Sequence, residues 1–128
     1  MTLNLNPQEI DQVILSILCN GALSFASQSG LDYDFDRKEY NAHKEGNQCH
    51  EDVLLAMLKS GGKIEFIDVE GDGDYNKDLT MALINEKLSS ITNEDFATEV
   101  KIILDEIGDA ENDYSALQYI LYDDVIFG

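Results

Sequence analysis

Oxygen ligands crowd one short stretch of this chain, Asp68-Val69-Glu70-Gly71-Asp72-Gly73-Asp74-Tyr75-Asn76-Lys77-Asp78-Leu79. Calcium takes six to eight hard oxygens, and helix-loop-helix calcium sites place them at alternate loop positions around a central glycine. Counted from Asp68, the residues Asp68, Glu70, Asp72, Gly73 and Asn76 fall in that register. The closing bidentate glutamate of such loops is replaced by Leu79, and a strand pattern rather than a helix leads in. The stretch therefore reads first as an acidic, glycine-rich hairpin turn. Calcium at Asp68, Glu70, Asp72 and Asn76 is the metal chemistry it could support, and no other cofactor is expected.

A second group, His43, Cys49, His50 and Glu51, contains zinc donors. It offers three good ligands without paired spacing, and adjacent Cys49 and His50 diverge on a helix. It reads as a polar loop entering a helix. A Cys49–His43 nucleophile and base pair has no supporting motif. Cys19 lies in an apolar run and reads as an inert core residue. No phosphate-binding loop, dinucleotide fingerprint, Gly-x-Ser-x-Gly or His-Glu-x-x-His occurs, and the chain is expected not to be an enzyme.

Charge is the dominant feature. The 128 residues carry 26 acidic and 8 basic side chains, a net −18. Residues 91–128 hold ten acids and one base, Lys101. This balance opposes direct nucleic-acid binding, which needs cations to release counterions, and opposes anionic membranes. Basic protein surfaces and metal cations are left as partners, alongside plain solubility. Asp109, Glu111 and Asp113 fall at a predicted helix N-terminus, where the dipole favours them. Asp105 and Glu106 precede Gly108 at a helix end, and Asp123 and Asp124 close the last helix. There the dipole opposes negative charge, by a few tenths to about 1 kcal/mol each. Residues placed against stability are the better candidates for a binding face, so Asp105, Glu106, Asp123 and Asp124 are the expected partner contacts.

The elements that must position these groups follow from pattern. Asn6-Pro7-Gln8-Glu9 starts a helix, and Ile10, Val13, Ile14, Ile17, Leu18 and Phe25 give it one face, with Gly21 on that face and Gly30 as its last stop. Leu31 to Asp36 alternates apolar and acidic residues, a short strand. Arg37 to Gln48 reads as a loop with one helical turn. A helix runs from Cys49 to Ser60, stopped by Gly61-Gly62. Lys63 to Glu70 is a strand, with Ile64 and Phe66 on one face and Ile67 and Val69 on the other, and Tyr75 to Leu79 returns as the second strand of a hairpin. Thr80 caps a helix to Ser90, Thr92 or Asn93 caps another through Ile107, and a last runs from Asn112 to Tyr122. Val125-Ile126-Phe127 is expected to tuck onto the core.

Two stretches carry a resemblance. Glu51 to Thr80, EDVLLAMLKSGGKIEFIDVEGDGDYNKDLT, and Asp109 to Gly128, DAENDYSALQYILYDDVIFG, together resemble small acidic proteins of uncharacterised function from bacteriophages, prophages and other mobile elements. The resemblance covers about 50 of the 128 residues and carries no site residues. It implies a phage-like accessory protein working in a bacterial cytoplasm.

The expected fold is a single α+β domain over 1–128, helices packed on a small antiparallel sheet centred on a 63–79 hairpin, with 31–36 available as a third strand. The expected core includes Ile14, Ile17, Leu18, Leu54, Leu58, Ile64, Phe66, Phe96, Val100, Ile103, Leu117 and Ile120. No membrane-spanning run and no signal peptide are read in it. The expected function is a non-enzymatic acidic module that binds a basic host protein, in the manner of a nucleic-acid mimic. A homo-oligomer joined through Val125-Ile126-Phe127 is the alternative.

Overall fold

The computed structural model describes residues 2–19, 30–71 and 73–127. Gly21, Leu23, Phe25, Asp72 and Gly128 therefore lie outside the described residues. Among the described residues the architecture is α+β: six helices packed on a three-stranded antiparallel sheet.

The first helix, α1 (Pro7–Ser16), starts where expected, with a complete capping box between Asn6 and Glu9. Residues 17–19 continue it as one π turn. Strand β1 (Leu31–Phe35) pairs with the central strand β2 (Lys63–Asp68), which pairs with β3 (Lys77–Thr80). Leu31, Phe35, Ile64, Phe66 and Leu79 bury the inner face of this sheet. Helices α3 (His50–Lys59), α4 (Met81–Leu88) and α6 (Ala110–Tyr122) pack on the strands, and α1 packs against α3, α4 and α5 (Glu94–Leu104). All twelve expected core residues are buried. Leu3 and Ile91 exchange backbone bonds of 2.9 and 2.8 Å, tying the N-terminal segment to the entry of α5.

Several boundaries differ from expectation, each for a local reason. Residues 37–43 form a true helix, α2 (Arg37–His43), because the Asp36 carboxylate accepts from the Lys38 and Glu39 N–H groups. Its apolar face is small, which hid it from periodicity. Strand β3 starts at Lys77, because Gly73 (φ +83) and Asn76 complete the turn first. Thr80 ends that strand and caps α4, accepting from Leu83 N–H at 3.2 Å. Val69 lies beyond the end of β2, 57% exposed.

The largest departure is at the end of α5. The helix stops at Leu104, and Ile107 is 75% exposed rather than part of the apolar stripe. Glu106, not Gly108, takes the left-handed conformation that ends it (φ 58). The Glu106 N–H then donates to Ile103 O at 3.0 Å and the Ile107 N–H to Ile102 O at 3.3 Å. This is the bond pair that usually accompanies a terminating glycine.

Candidate functional site

The turn between α5 and α6 concentrates charge on strained backbone. Asp105 caps α5, Glu106 follows in the left-handed region, and Asp109 caps α6. A side chain in that region costs roughly 1–2 kcal/mol relative to glycine. Asp105 and Glu106 also lie at the negative end of the α5 dipole. Asp109 accepts from Glu111 and Asn112 N–H groups, while Asn112 accepts from the Asp109 N–H at 3.1 Å. Gly108 lets the two helix ends approach: a Cβ there would meet Ile102 Cγ2 at 2.7 Å and Asn112 Oδ1 at 3.0 Å.

Among the described residues, no basic side chain forms a salt bridge with Asp105, Glu106, Asp109 or Glu111. A cavity of about 330 Å³ opens beside the turn, lined by Gln12, Ser16, Ile103, Glu106, Gly108 and Asp113. On its wall Asp113 is only 3% exposed and accepts from Ser16 Oγ at 2.8 Å. Gln12 Nε2 donates to Leu104 O at 3.2 Å, fixing the end of α5 against α1.

The four acids expected to make one face are divided by the fold. Asp123 and Asp124 stand at the far end of α6, some 20 Å of helix from the turn. Asp123 also has a left-handed backbone (φ 60), but Lys87 Nζ reaches both its carboxylate oxygens, at 2.7 and 3.0 Å. Asp124 accepts from the Val125 N–H at 2.8 Å. Burial raises the pKa of nearby Tyr119, and Asp95, Asp124 and Glu99 add to the rise. This end thus shares charge with the start of α5, whereas Asp105 and Glu106 keep company with Asp109, Glu111 and Asp113.

The Asp68–Asn76 oxygens serve the turn itself. Asp68, 7% exposed, accepts from Glu70 N–H at 3.2 Å and Gly71 N–H at 2.8 Å. Asn76 Oδ1 accepts from the Asp68 N–H at 2.8 Å. The Glu70 side chain lies over Gly30, where a Cβ would meet its carboxyl carbon at 2.8 Å. Among the described residues, no three His, Cys, Asp or Glu side chains are grouped to hold a metal ion.

The histidines are also engaged apart from one another. Tyr40 Oη and His50 Nδ1 are bonded at 2.7 Å, and Ser60 Oγ and His43 Nε2 at 3.0 Å. Burial lowers the His50 pKa. Cys49 is the α3 N-cap residue without a side-chain capping bond. Cys19 is exposed, not a core residue, because the π turn carries it past the buried pair Ile17 and Leu18.

The C-terminal segment has a clasp that pattern reading missed. Gln118, fully buried, accepts from the Ile126 and Phe127 N–H groups at 2.7 and 2.6 Å and donates to Phe127 O at 2.9 Å. Phe127 packs edge-on against Tyr75, while Val125 and Ile126 stay 39% and 37% exposed. A polar residue inside an otherwise apolar helix stripe was the available signal. Among the described residues, no helix is long and apolar enough to cross a membrane. The chain gives no match to protein-family models, to curated proteins or to solved structures.

Proposed function

We propose that this chain is a non-enzymatic acidic binding module of the phage or mobile-element kind, acting in a bacterial cytoplasm on a basic host protein. Its α5–α6 turn occupies a groove that would otherwise hold nucleic acid, inhibiting a defence or DNA-binding protein. The observation that carries this reading is the group Asp105, Glu106, Asp109 and Glu111. These carboxylates have no salt-bridge partner among the described residues, and two of them stand where dipole or backbone disfavours them. Duplex DNA presents one charge per about 1.7 Å of axis, and a row of carboxylates competes for the same Lys and Arg side chains. Long-range attraction to a basic groove speeds the encounter.

A competition experiment tests it. Basic DNA-binding proteins captured on the immobilised chain from nuclease-treated bacterial lysate should be released by added duplex DNA at constant ionic strength. Capture insensitive to DNA would remove the mimic reading. The exposure of Val125 and Ile126 favours a second reading, self-association through the C-terminal segment. Light scattering on V125S/I126S separates the two, since only the second reading expects a dimer that these changes dissolve.

A further inference from the structure

We propose that the free edge of β3 is a docking surface, where an extended cationic segment of a partner protein adds to the sheet as a further strand. Backbone alternation sets which groups face out. The Asp68 N–H points to the β3 side, where Asn76 Oδ1 accepts it at 2.8 Å, and the Val69 N–H bonds to Gly30 O on the β1 side at 3.0 Å. The Phe66 and Ile64 backbones therefore also bond to β3, through Lys77 and Leu79, which stand opposite them. The N–H groups of Asp78 and Thr80 alternate with these and face away from the sheet. Among the described residues, no turn, loop or side-chain acceptor meets either of them.

The two edges of the sheet differ in this respect. On β1 the outward Tyr33 and Phe35 N–H groups donate to the Asp32 and Asp34 carboxylates. On β3 the side chains that could do the same are engaged elsewhere. Thr80 Oγ1 accepts from the Leu83 N–H at 3.2 Å, and the Asp78 carboxylate accepts from Lys63 Nζ at 3.4 Å. An open groove of about 800 Å³ lies beside this edge, lined by Lys77, Asp78 and Thr80 of β3 and by Ala82, Leu83 and Glu86 of α4. A strand laid there gains main-chain hydrogen bonds from β3 and sets alternate side chains against α4.

Charge selects the occupant. Within the groove lining, Lys63 Nζ bridges Glu65 and Asp78 at 3.2 and 3.4 Å, so an ammonium is a group this surface holds. Glu86, exposed on the α4 wall, has no salt bridge among the described residues. Lys77, at the start of β3, has none either, so the cation of the incoming segment belongs beside α4 and a neutral residue beside Lys77. A second copy of this chain is disfavoured, because two molecules of net charge −18 repel one another. The groove shares no residue with the α5–α6 turn and does not rest on the reading of that turn.

The test uses the full chain and two synthetic peptides, one of Lys-Val repeats and the same peptide N-methylated along its central residues, which keeps the charge but not the donors. Binding is followed at low salt by residue-resolved amide exchange and chemical shifts. The unmodified peptide should slow exchange at the Asp78 and Thr80 N–H groups by roughly tenfold or more and shift Leu83 and Glu86. The N-methylated peptide should bind at least about tenfold more weakly. Asp78→Pro removes an outward donor and leaves the Lys77 and Leu79 bonds to β2 in place. It should bind the peptide about tenfold less tightly than Asp78→Ala, which removes the same carboxylate. Glu86→Lys should weaken binding without touching the strand. Equal binding of the two peptides, or shifts spread over the acidic surface without Asp78 and Thr80, would overturn the proposal. Protection of these two N–H groups that rises with protein concentration and needs no peptide would give the edge to a second copy, and would overturn it as well.

Discussion

Two acidic regions of this molecule have similar composition and opposite physical situations. In the first, Asp32, Asp34 and Asp36 line the free edge of the sheet. Val69 N–H donates to Gly30 O at 3.0 Å, which turns the Asp32 and Asp34 backbones toward β2 and the Tyr33 and Phe35 backbones outward. The outward Tyr33 and Phe35 N–H groups donate to the Asp32 and Asp34 carboxylates, at 2.8 and 2.9 Å, and Asp36 caps α2. Occupied donors and negative charge blunt an edge that would otherwise accept another strand. Across the outer face, Asp34, Glu65 and Asp78 stand directly opposite one another, a costly row of like charges. Arg37 and Lys63 compensate it: Arg37 lies 3.9 Å from Asp34, and Lys63 bridges Glu65 and Asp78 at 3.2 and 3.4 Å.

In the second region, Asp105 and Glu106 have neither compensation. They cap no following helix, pair with no cation among the described residues, and stand at a helix C-terminus. The difference teaches that net charge is not one property of this chain. Much of it is spent holding turns, caps and an edge, and a smaller part, Asp105 and Glu106, forms no salt bridge among the described residues.

The largest expected effect concerns acids that the fold uses. Burial pushes Tyr114 and Tyr122 up to about 12, with the charge of Glu70 adding at Tyr114, and Tyr114 and Asp68 adding at Tyr122. The folded chain therefore holds these protons above the unfolded value of about 10. Stability is full below pH 10 and is lost as pH rises through about 12, by roughly 3 kcal/mol for each tyrosine. Urea midpoints measured from pH 9 to 12 should trace this fall, and a flat profile would contradict it.

Next in size, the triple change Asp32, Asp34 and Asp36 to alanine should cost about 2 kcal/mol, chiefly from the lost α2 cap and edge bonds. Glu106→Gly should do the opposite and stabilise the chain by about 1 kcal/mol, by relieving the left-handed side chain. If Glu106→Gly destabilised, the turn would belong with the structural acids and the comparison would fail. The smallest pair contrasts the C-terminal ends of α5 and α6. Asp105→Lys should gain a few tenths of a kcal/mol from the α5 dipole. Asp123→Lys should lose up to about 1 kcal/mol with its Lys87 pair.

How much of this was legible in the residues varied by element. The core was, because helical and alternating spacing select the same buried positions that the fold uses. The start of α1 was, because Asn6, Pro7 and Glu9 specify a cap locally. Helix α2 was not, since an Asp36 cap rather than an apolar stripe makes it. The end of α5 was misplaced because Gly108 is the conventional stop, whereas the chain bends two residues earlier at a glutamate. At the candidate site, the dipole argument located Asp105 and Glu106 correctly at a helix end. It could not show that Asp123 and Asp124 lie about a helix length away, or that Lys87 reaches back to Asp123, because both follow from tertiary packing.

The most direct test of the central claim is a paired charge reversal read by binding. The unsubstituted chain, D105K/E106K and D123K/D124K would each be immobilised, exposed to nuclease-treated bacterial lysate, and eluted with a salt gradient. Open carboxylates at the α5–α6 turn predict that D105K/E106K loses its retained basic proteins, or releases them at much lower salt, while D123K/D124K changes little. Equal losses from both pairs would mean that retention reports net charge alone, and would contradict the assignment of the turn as the binding face.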